Sequence, residues 1–146
     1  MNEYTLADIR VGMKENFTKK ITEEMEDAFR LICGDENPLH RDDDYAKEIF
    51  GGKYDKHVSF GMLTASLYST IAGMYLPGKY SLIHSFDELS FMQPVFAGDT
   101  LAVEGEVTEV DEALKLIRIR VIIKTQFGKK VSRAKMKIMV MRYGEK

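Results

Sequence analysis

The sequence predicts an α+β domain in which an antiparallel sheet wraps one long helix. Three observations carry this. A single apolar segment, Gly61 to Leu76, has apolar groups on nearly every face, as a helix enclosed by other elements does. Four extended runs follow it, near Tyr80–Met92, Thr100–Val110, Leu114–Gln126 and Lys130–Tyr143. Within them Ile117, Ile119, Val121 and Ile123 alternate with Arg118, Arg120, Ile122 and Lys124, and Met136, Ile138 and Val140 repeat the period of two. That alternation belongs to antiparallel strands with one buried face.

The elements follow in order. The first dozen residues form an arm ending in a Val11-Gly12 turn, and Asn16–Ile21 reads as a first strand. Thr22 is an N-cap, with Glu23 and Glu24 in the first helical turn behind it. Met25, Phe29 and Ile32 recur at helical spacing, flanked by Ala28 and Leu31, and define the expected inward face. Cys33 ends that face and reads as a small buried hydrophobe. Gly34 stops the helix. Asp42, Asp43 and Asp44 cap a second short helix through Phe50; the run lacks the glycine and terminal glutamate of a calcium loop. Gly51-Gly52 opens a loop, in which His57 reads as a solvated residue, and Phe60 or Gly61 starts the long helix. Pro77-Gly78 ends it, and Asp111-Glu112-Ala113 and Phe127-Gly128-Lys129 are hairpin connections.

Composition narrows the function. The 146 residues suit one domain, read as 1–146, with no repeat, linker or low-complexity segment. A net charge of −2, with Lys and Arg dispersed, gives no electrostatic case for nucleic acid. The apolar stretch near Met62–Leu76 is too short and too polar to span a bilayer, so no membrane is expected as a partner. One cysteine excludes an intramolecular disulfide framework and fits a reducing cytoplasm, and the N-terminus shows no secretory signal. The nine methionines are read mainly as core filling.

The chemistry concentrates in Gly34-Asp35-Glu36-Asn37-Pro38-Leu39-His40. A carboxylate and an imidazole five positions apart, on a turn stiffened by Asn-Pro, are the parts needed to hold a water and move its proton. Phe60-Gly61-Met62-Leu63-Thr64-Ala65-Ser66 adds a helix start, where unpaired N–H groups favour a developing negative charge. Taken as residues alone, Asp35 and Asn37 also fit a helix-ending Asx turn, His40 a histidine bonded to a backbone carbonyl, and Ser66 a hydroxyl bonded back one turn.

Asp35, Asn37, Pro38 and His40 as D-x-N-P-x-H, the Gly61-Met62-Leu63 helix with Ser66, and Phe91-Met92-Gln93-Pro94-Val95-Phe96-Ala97-Gly98-Asp99 together resemble the MaoC-like, (R)-specific enoyl-CoA hydratase family over roughly Thr18–Met141. The resemblance implies a hot-dog fold and the hydration of a trans-2-enoyl thioester to the (R)-3-hydroxyacyl thioester, or its reversal. It implies Asp35 and His40 as the acid–base pair and Gly61 as the backbone donor to the thioester oxygen. Asn37, Phe60, Met62 and Ser66 are the expected substrate-side residues, Ser66 by ordering the aspartate. It further implies coenzyme A as part of the substrate, no metal or redox cofactor, and a homodimer or dimer of dimers. The chain departs from the family at Phe60, where histidine is common, and in a longer 51–60 loop; a phenylalanine at the pocket mouth would shorten the pocket or stack on substrate. Two alternatives stay open: a hot-dog acyl-CoA thioesterase, disfavoured because no Asp or Glu lies between Gly61 and Leu76, and a non-catalytic acyl-thioester-binding subunit, which Phe60 keeps in play.

Overall fold

The computed structural model describes residues 1–144. Residues 145 and 146, the end of the expected 1–146 domain, lie outside the described residues. The elements run β1 (Lys14–Lys20), α1 (Glu23–Cys33), α2 (Asp43–Ile49), α3 (Gly61–Thr70), β2 (Ser81–Phe91), β3 (Thr100–Asp111), β4 (Leu116–Lys124) and β5 (Lys130–Val140). The five strands form one sheet in the order β1-β3-β4-β5-β2, every pairing antiparallel. β3–β4 and β4–β5 are the hairpins read from the sequence, and β1 and β2 are its two edges.

The period-two pattern fixes the register. Ile117, Ile119, Val121 and Ile123 are all fully buried, with Met136 and Ile138 opposite them on β5. Against this face pack Leu63, Leu67, Tyr68, Ile71 and Ala72. Gly105 on β3 lets the helix approach closely: an added Cβ would come 3.0 Å from Ile71 Cγ1, a contact to which the isoleucine would have to yield. Burying these side chains, at roughly 1.5–3 kcal/mol each, is the main force holding helix to sheet.

The expected single long helix is α-helical only to Thr70; Ile71–Tyr75 is a π turn, with Leu76 N–H donating to Ile71 O. Tyr68, fully buried, ties helix to sheet by a polar chain: its hydroxyl meets Ser132 Oγ at 2.6 Å, and Ser132 Oγ donates to the Ser90 carbonyl at 2.8 Å. With the serine hydrogen spent on Ser90, Tyr68 is the donor in the first bond.

α1 starts and stops as expected. Thr22 accepts from Met25 N–H, and Gly34 takes φ 73°, the left-handed conformation that glycine adopts without strain. Its inward face is different. Met25, Glu26, Phe29 and Arg30 turn in, whereas Leu31 and Ile32 are 87% and 79% exposed and Ala28 is exposed too. Cys33 is exposed, which corrects its reading as a buried hydrophobe. Two charged residues, Glu26 and Arg30, occupy inward positions of the helix, and the apolar period misled on that account.

Candidate functional site

The 35–40 segment leaves α1 as a chain of local bonds. Asp35 Oδ1 accepts from Asn37 N–H at 3.0 Å, and Asn37 Oδ1 accepts from Leu39 N–H at 3.0 Å. The second bond caps the short 3-10 turn Pro38–His40, in which Pro38 has no N–H to leave unsatisfied. His40 then leaves the turn toward the loop before α3. Its Nδ1 lies 2.9 Å from the Val58 carbonyl, and a carbonyl only accepts, so Nδ1 carries the hydrogen. When the ring is neutral Nε2 is its bare nitrogen, and it stands 3.9 Å from Asp35 Oδ2. That gap is too long for a hydrogen bond, and is one that a water with two legs of about 2.8 Å would span. The Asp35 side chain is 46% exposed and that of His40 15%.

Phe60 is not at a pocket mouth. It is 3% exposed, its ring centroid 4.2 Å from that of His40 and 5.1 Å from Phe29, with the Arg30 guanidinium 5.8 Å away. Arg30 also donates to the His40 carbonyl at 3.3 Å. The residue that departs from the family pattern thus forms one wall of the histidine's seat.

Gly61 opens α3. Phe60, the residue before it, offers no side-chain cap, so the first N–H groups of the helix have no acceptor within it. Gly61 lines a cavity of about 280 Å³ with Phe50, Ser59, Thr64, Phe91 and Val95 among its walls. The hydroxyls of Ser59 and Thr64 are buried and without a hydrogen-bond partner among the described residues. A Cβ on Gly61 would come nearest the Phe91 ring, at an ordinary 3.5 Å. The glycine keeps space at the helix mouth rather than enabling an unusual backbone angle. Asp35 and His40 do not line this cavity themselves; they border the segment whose Val58 and Ser59 do.

Met62 and Ser66 fall on the outward face of α3. Met62 is 59% exposed, and the Ser66 hydroxyl donates to the Leu63 carbonyl at 2.6 Å. The expected service of Ser66 to the aspartate is absent, because this in-helix bond already occupies its only hydrogen.

His57, expected in solvent, is 16% exposed at its side chain and held by carboxylates. Asp43 Oδ1 accepts from His57 N–H at 2.8 Å and from Nδ1 at 2.6 Å; Nε2 lies 3.2 Å from Glu23 and 3.5 Å from Glu26. Burial opposes charge on the imidazole, but the Asp43 bond and the charges of Glu23 and Asp43 outweigh it and raise its pKa. The same bonds lower that of Asp43. Glu26 is fully buried, and burial pushes its carboxyl up against the lowering pull of Ser59, His57 and His40. The Ser59 hydroxyl is near the carboxylate without closing a hydrogen bond to it, since both groups lack partners. Nothing local in the sequence marks this cluster: its members come from α1, α2 and the 51–60 loop.

Comparison with known proteins agrees with this architecture. The family model described as "MaoC like domain" matches residues 8–133. The (R)-specific enoyl-CoA hydratase of Aeromonas caviae is 37% identical over 120 residues, 82% of this chain and 87% of that protein. The 3-hydroxybutyryl-CoA dehydratase of Methylorubrum extorquens is 32% identical over 103 residues, 70% of this chain and 63% of that protein. Among solved structures, the unliganded R-hydratase of Pseudomonas aeruginosa superposes with a TM-score of 0.84 at 31% identity, covering 94% of this chain and 86% of its own. The sheet around a central helix is accordingly the hot-dog fold, and the chain belongs to the MaoC-like domain family.

Proposed function

We propose that this protein is an (R)-specific enoyl-CoA hydratase, a hydro-lyase that adds water across a trans-2-enoyl thioester and, in reverse, dehydrates the (R)-3-hydroxyacyl thioester. The observation that carries the reading is the Asp35–His40 pair, 3.9 Å apart on a turn built to present it. Water held between the two delivers its oxygen to C3, and a proton reaches C2. Charge that gathers on the thioester oxygen is met by the free N–H groups at the start of α3. Every atom of the water enters the product, so the pair is returned to its starting protonation after each turnover.

The support extends to what the site contains. α3 carries no Asp or Glu, which a thioesterase would need for water attack at the carbonyl. Phe60, which kept a non-catalytic binder in play, packs against His40 and serves its position. Coenzyme A enters as part of the substrate, and the reaction as written needs no metal and no redox cofactor. The substrate-side role of Asn37 and the role of Gly61 as backbone donor to the thioester oxygen stay in this reading; Phe60 moves to positioning His40, and Met62 and Ser66 carry no role within one chain.

Two copies form the working unit. The support is exposed apolar surface, Leu31 and Ile32 on α1 and Met62 on α3, together with the open edge strand β2, where Leu82, Phe86 and Phe91 are exposed. No helix among the described residues is long and apolar enough to cross a membrane. We place the enzyme in the cytoplasm, where acyl-CoA is made and a free Cys33 stays reduced.

The test is incubation with crotonyl-CoA, following loss of the conjugated enoyl absorbance and resolving the product by chirality. The reading expects (R)-3-hydroxybutyryl-CoA. Release of free coenzyme A would establish the thioesterase instead, and saturable binding of several acyl-CoA lengths with no turnover would establish the binder.

A further inference from the structure

We propose that Glu23, Glu26 and His57 form a binding site for a divalent first-row transition cation of the zinc type, which clasps the 51–60 loop to α1 and takes no part in the hydration chemistry. One imidazole nitrogen and two carboxylates supply donor atoms that all lie within 4.8 Å of one another. The gaps from His57 Nε2, 3.2 Å to Glu23 and 3.5 Å to Glu26, are close to the ligand-to-ligand edge of about 3.3 Å around a tetrahedral cation with bonds of about 2.0 Å.

Two further features point the same way. Asp43 Oδ1 sits 2.6 Å from Nδ1, and a carboxylate only accepts, so Nδ1 bears a hydrogen in either charge state of the ring; Nε2 faces the two glutamates, and once its proton is displaced its lone pair points at the same place. A carboxylate behind a histidine in this manner fixes the ring and raises its basicity as a ligand. Glu26 is the second feature. Its side chain is fully buried, and neither oxygen has a hydrogen-bond partner among the described residues. A buried carboxylate needs a cation or a proton; the protonated His57 at 3.5 Å closes no hydrogen bond to it, and a divalent cation that displaces the Nε2 proton would meet both glutamates directly. Glu23, 57% exposed, leaves the cluster open to solvent for entry and for a water as a fourth ligand. Imidazole in the set favours zinc-type cations over magnesium or calcium.

The position gives the cation a structural task. His57 precedes Val58, whose carbonyl fixes the His40 ring, and Asp43 belongs to α2. A bound ion would join α1, the 51–60 loop and, through Asp43, α2 around the segment that seats the histidine.

The experiment uses the full chain with Cys33→Ser, so that the exposed thiol does not compete, stripped with EDTA and titrated calorimetrically with ZnCl₂ beside MgCl₂. One equivalent of Zn²⁺ is expected, none of Mg²⁺, and a rise in Tm of roughly 5–10 °C at a hundredfold excess over Kd. Glu26→Gln and His57→Ala should each weaken Zn²⁺ by at least tenfold, and Asp43→Asn by roughly 10–100-fold. Asp35→Asn should leave stoichiometry and affinity unchanged. If His57→Ala fails to fold, the near-isosteric Glu26→Gln decides, with Co²⁺ visible absorption of the unsubstituted cluster reporting nitrogen and oxygen donors. No saturable Zn²⁺ binding, or binding that survives Glu26→Gln undiminished, would overturn the proposal and leave a cluster held by protons.

Discussion

The Val58 carbonyl accepts from His40 Nδ1 at 2.9 Å, and by doing so decides which nitrogen of the ring faces Asp35. A backbone group in the loop before α3 thus sets the tautomer of a residue in the turn after α1. The face of the ring is set separately, by Phe60. Two segments distant in the chain, the 35–40 turn and the Val58–Phe60 stretch, therefore define one proton-transfer geometry.

Phe60→Leu separates seating from substrate contact. Phe60 lies outside the cavity lining and against His40. The change should cost about 1–2 kcal/mol of stability and lower kcat, with KM for crotonyl-CoA little altered. Steady-state kinetics beside urea denaturation checks this; a KM that shifts with acyl length while kcat holds would return Phe60 to the pocket mouth.

Gly61→Ala should fold normally, since the nearest neighbour of its new methyl, the Phe91 ring, lies at an ordinary 3.5 Å. The methyl projects at the helix mouth, where the thioester oxygen is to be met. A fall in kcat/KM of roughly 10–100-fold with an unchanged Tm is expected. Full activity in the variant would remove Gly61 from the oxygen site.

Gly105→Ala probes the core instead. Its Cβ would sit 3.0 Å from Ile71 Cγ1, on a fully buried side chain at the start of the π turn. A loss of about 1–3 kcal/mol is expected from denaturant midpoints. No loss would show that the π turn yields easily.

With EDTA present, the His57 cluster should make stability depend on pH. His57 and Glu26 have raised folded-state pKa values, so their contributions are complete below the ordinary values of about 6.5 and 4.5 and are lost as pH rises through the folded ones. Asp43, lowered, contributes above about 3.8 and loses it as pH falls through its folded value. Urea midpoints should therefore decline as pH climbs through neutrality. Glu26→Gln, a neutral mimic of the protonated acid, should flatten that decline and exceed the parent at alkaline pH. An identical slope in parent and variant would remove Glu26 from the linkage.

The sheet and α3 were legible because burial writes a period into the chain: Ile117 to Ile123 could serve only a one-faced strand, and Gly61 to Leu76 only an enclosed helix. The 35–40 turn was legible because its bonds are local, Asp35 to Asn37 and Asn37 to Leu39. What failed was long-range or polar. α1 turns Glu26 and Arg30 inward and Leu31 and Ile32 outward, and no period announces a buried glutamate. His57 finds Asp43, Glu23 and Glu26 only through the fold, and the Val58 bond to His40 involves a backbone atom that every residue possesses. The Ser66 hydroxyl had two chemically sound partners, and the Leu63 carbonyl one turn back took it.

The most direct test is the turnover number of Asp35→Asn and His40→Ala on crotonyl-CoA, with Tm measured on the same samples. Asp35 is half exposed, so Asp35→Asn should fold with a near-parental Tm, whereas His40→Ala gives up the Val58 bond and the Phe60 contact and should lower Tm without unfolding the protein. The account predicts a fall in kcat of at least roughly 10²–10⁴-fold in each variant. Retention of parental kcat in either folded variant would contradict the claim that this pair moves the water.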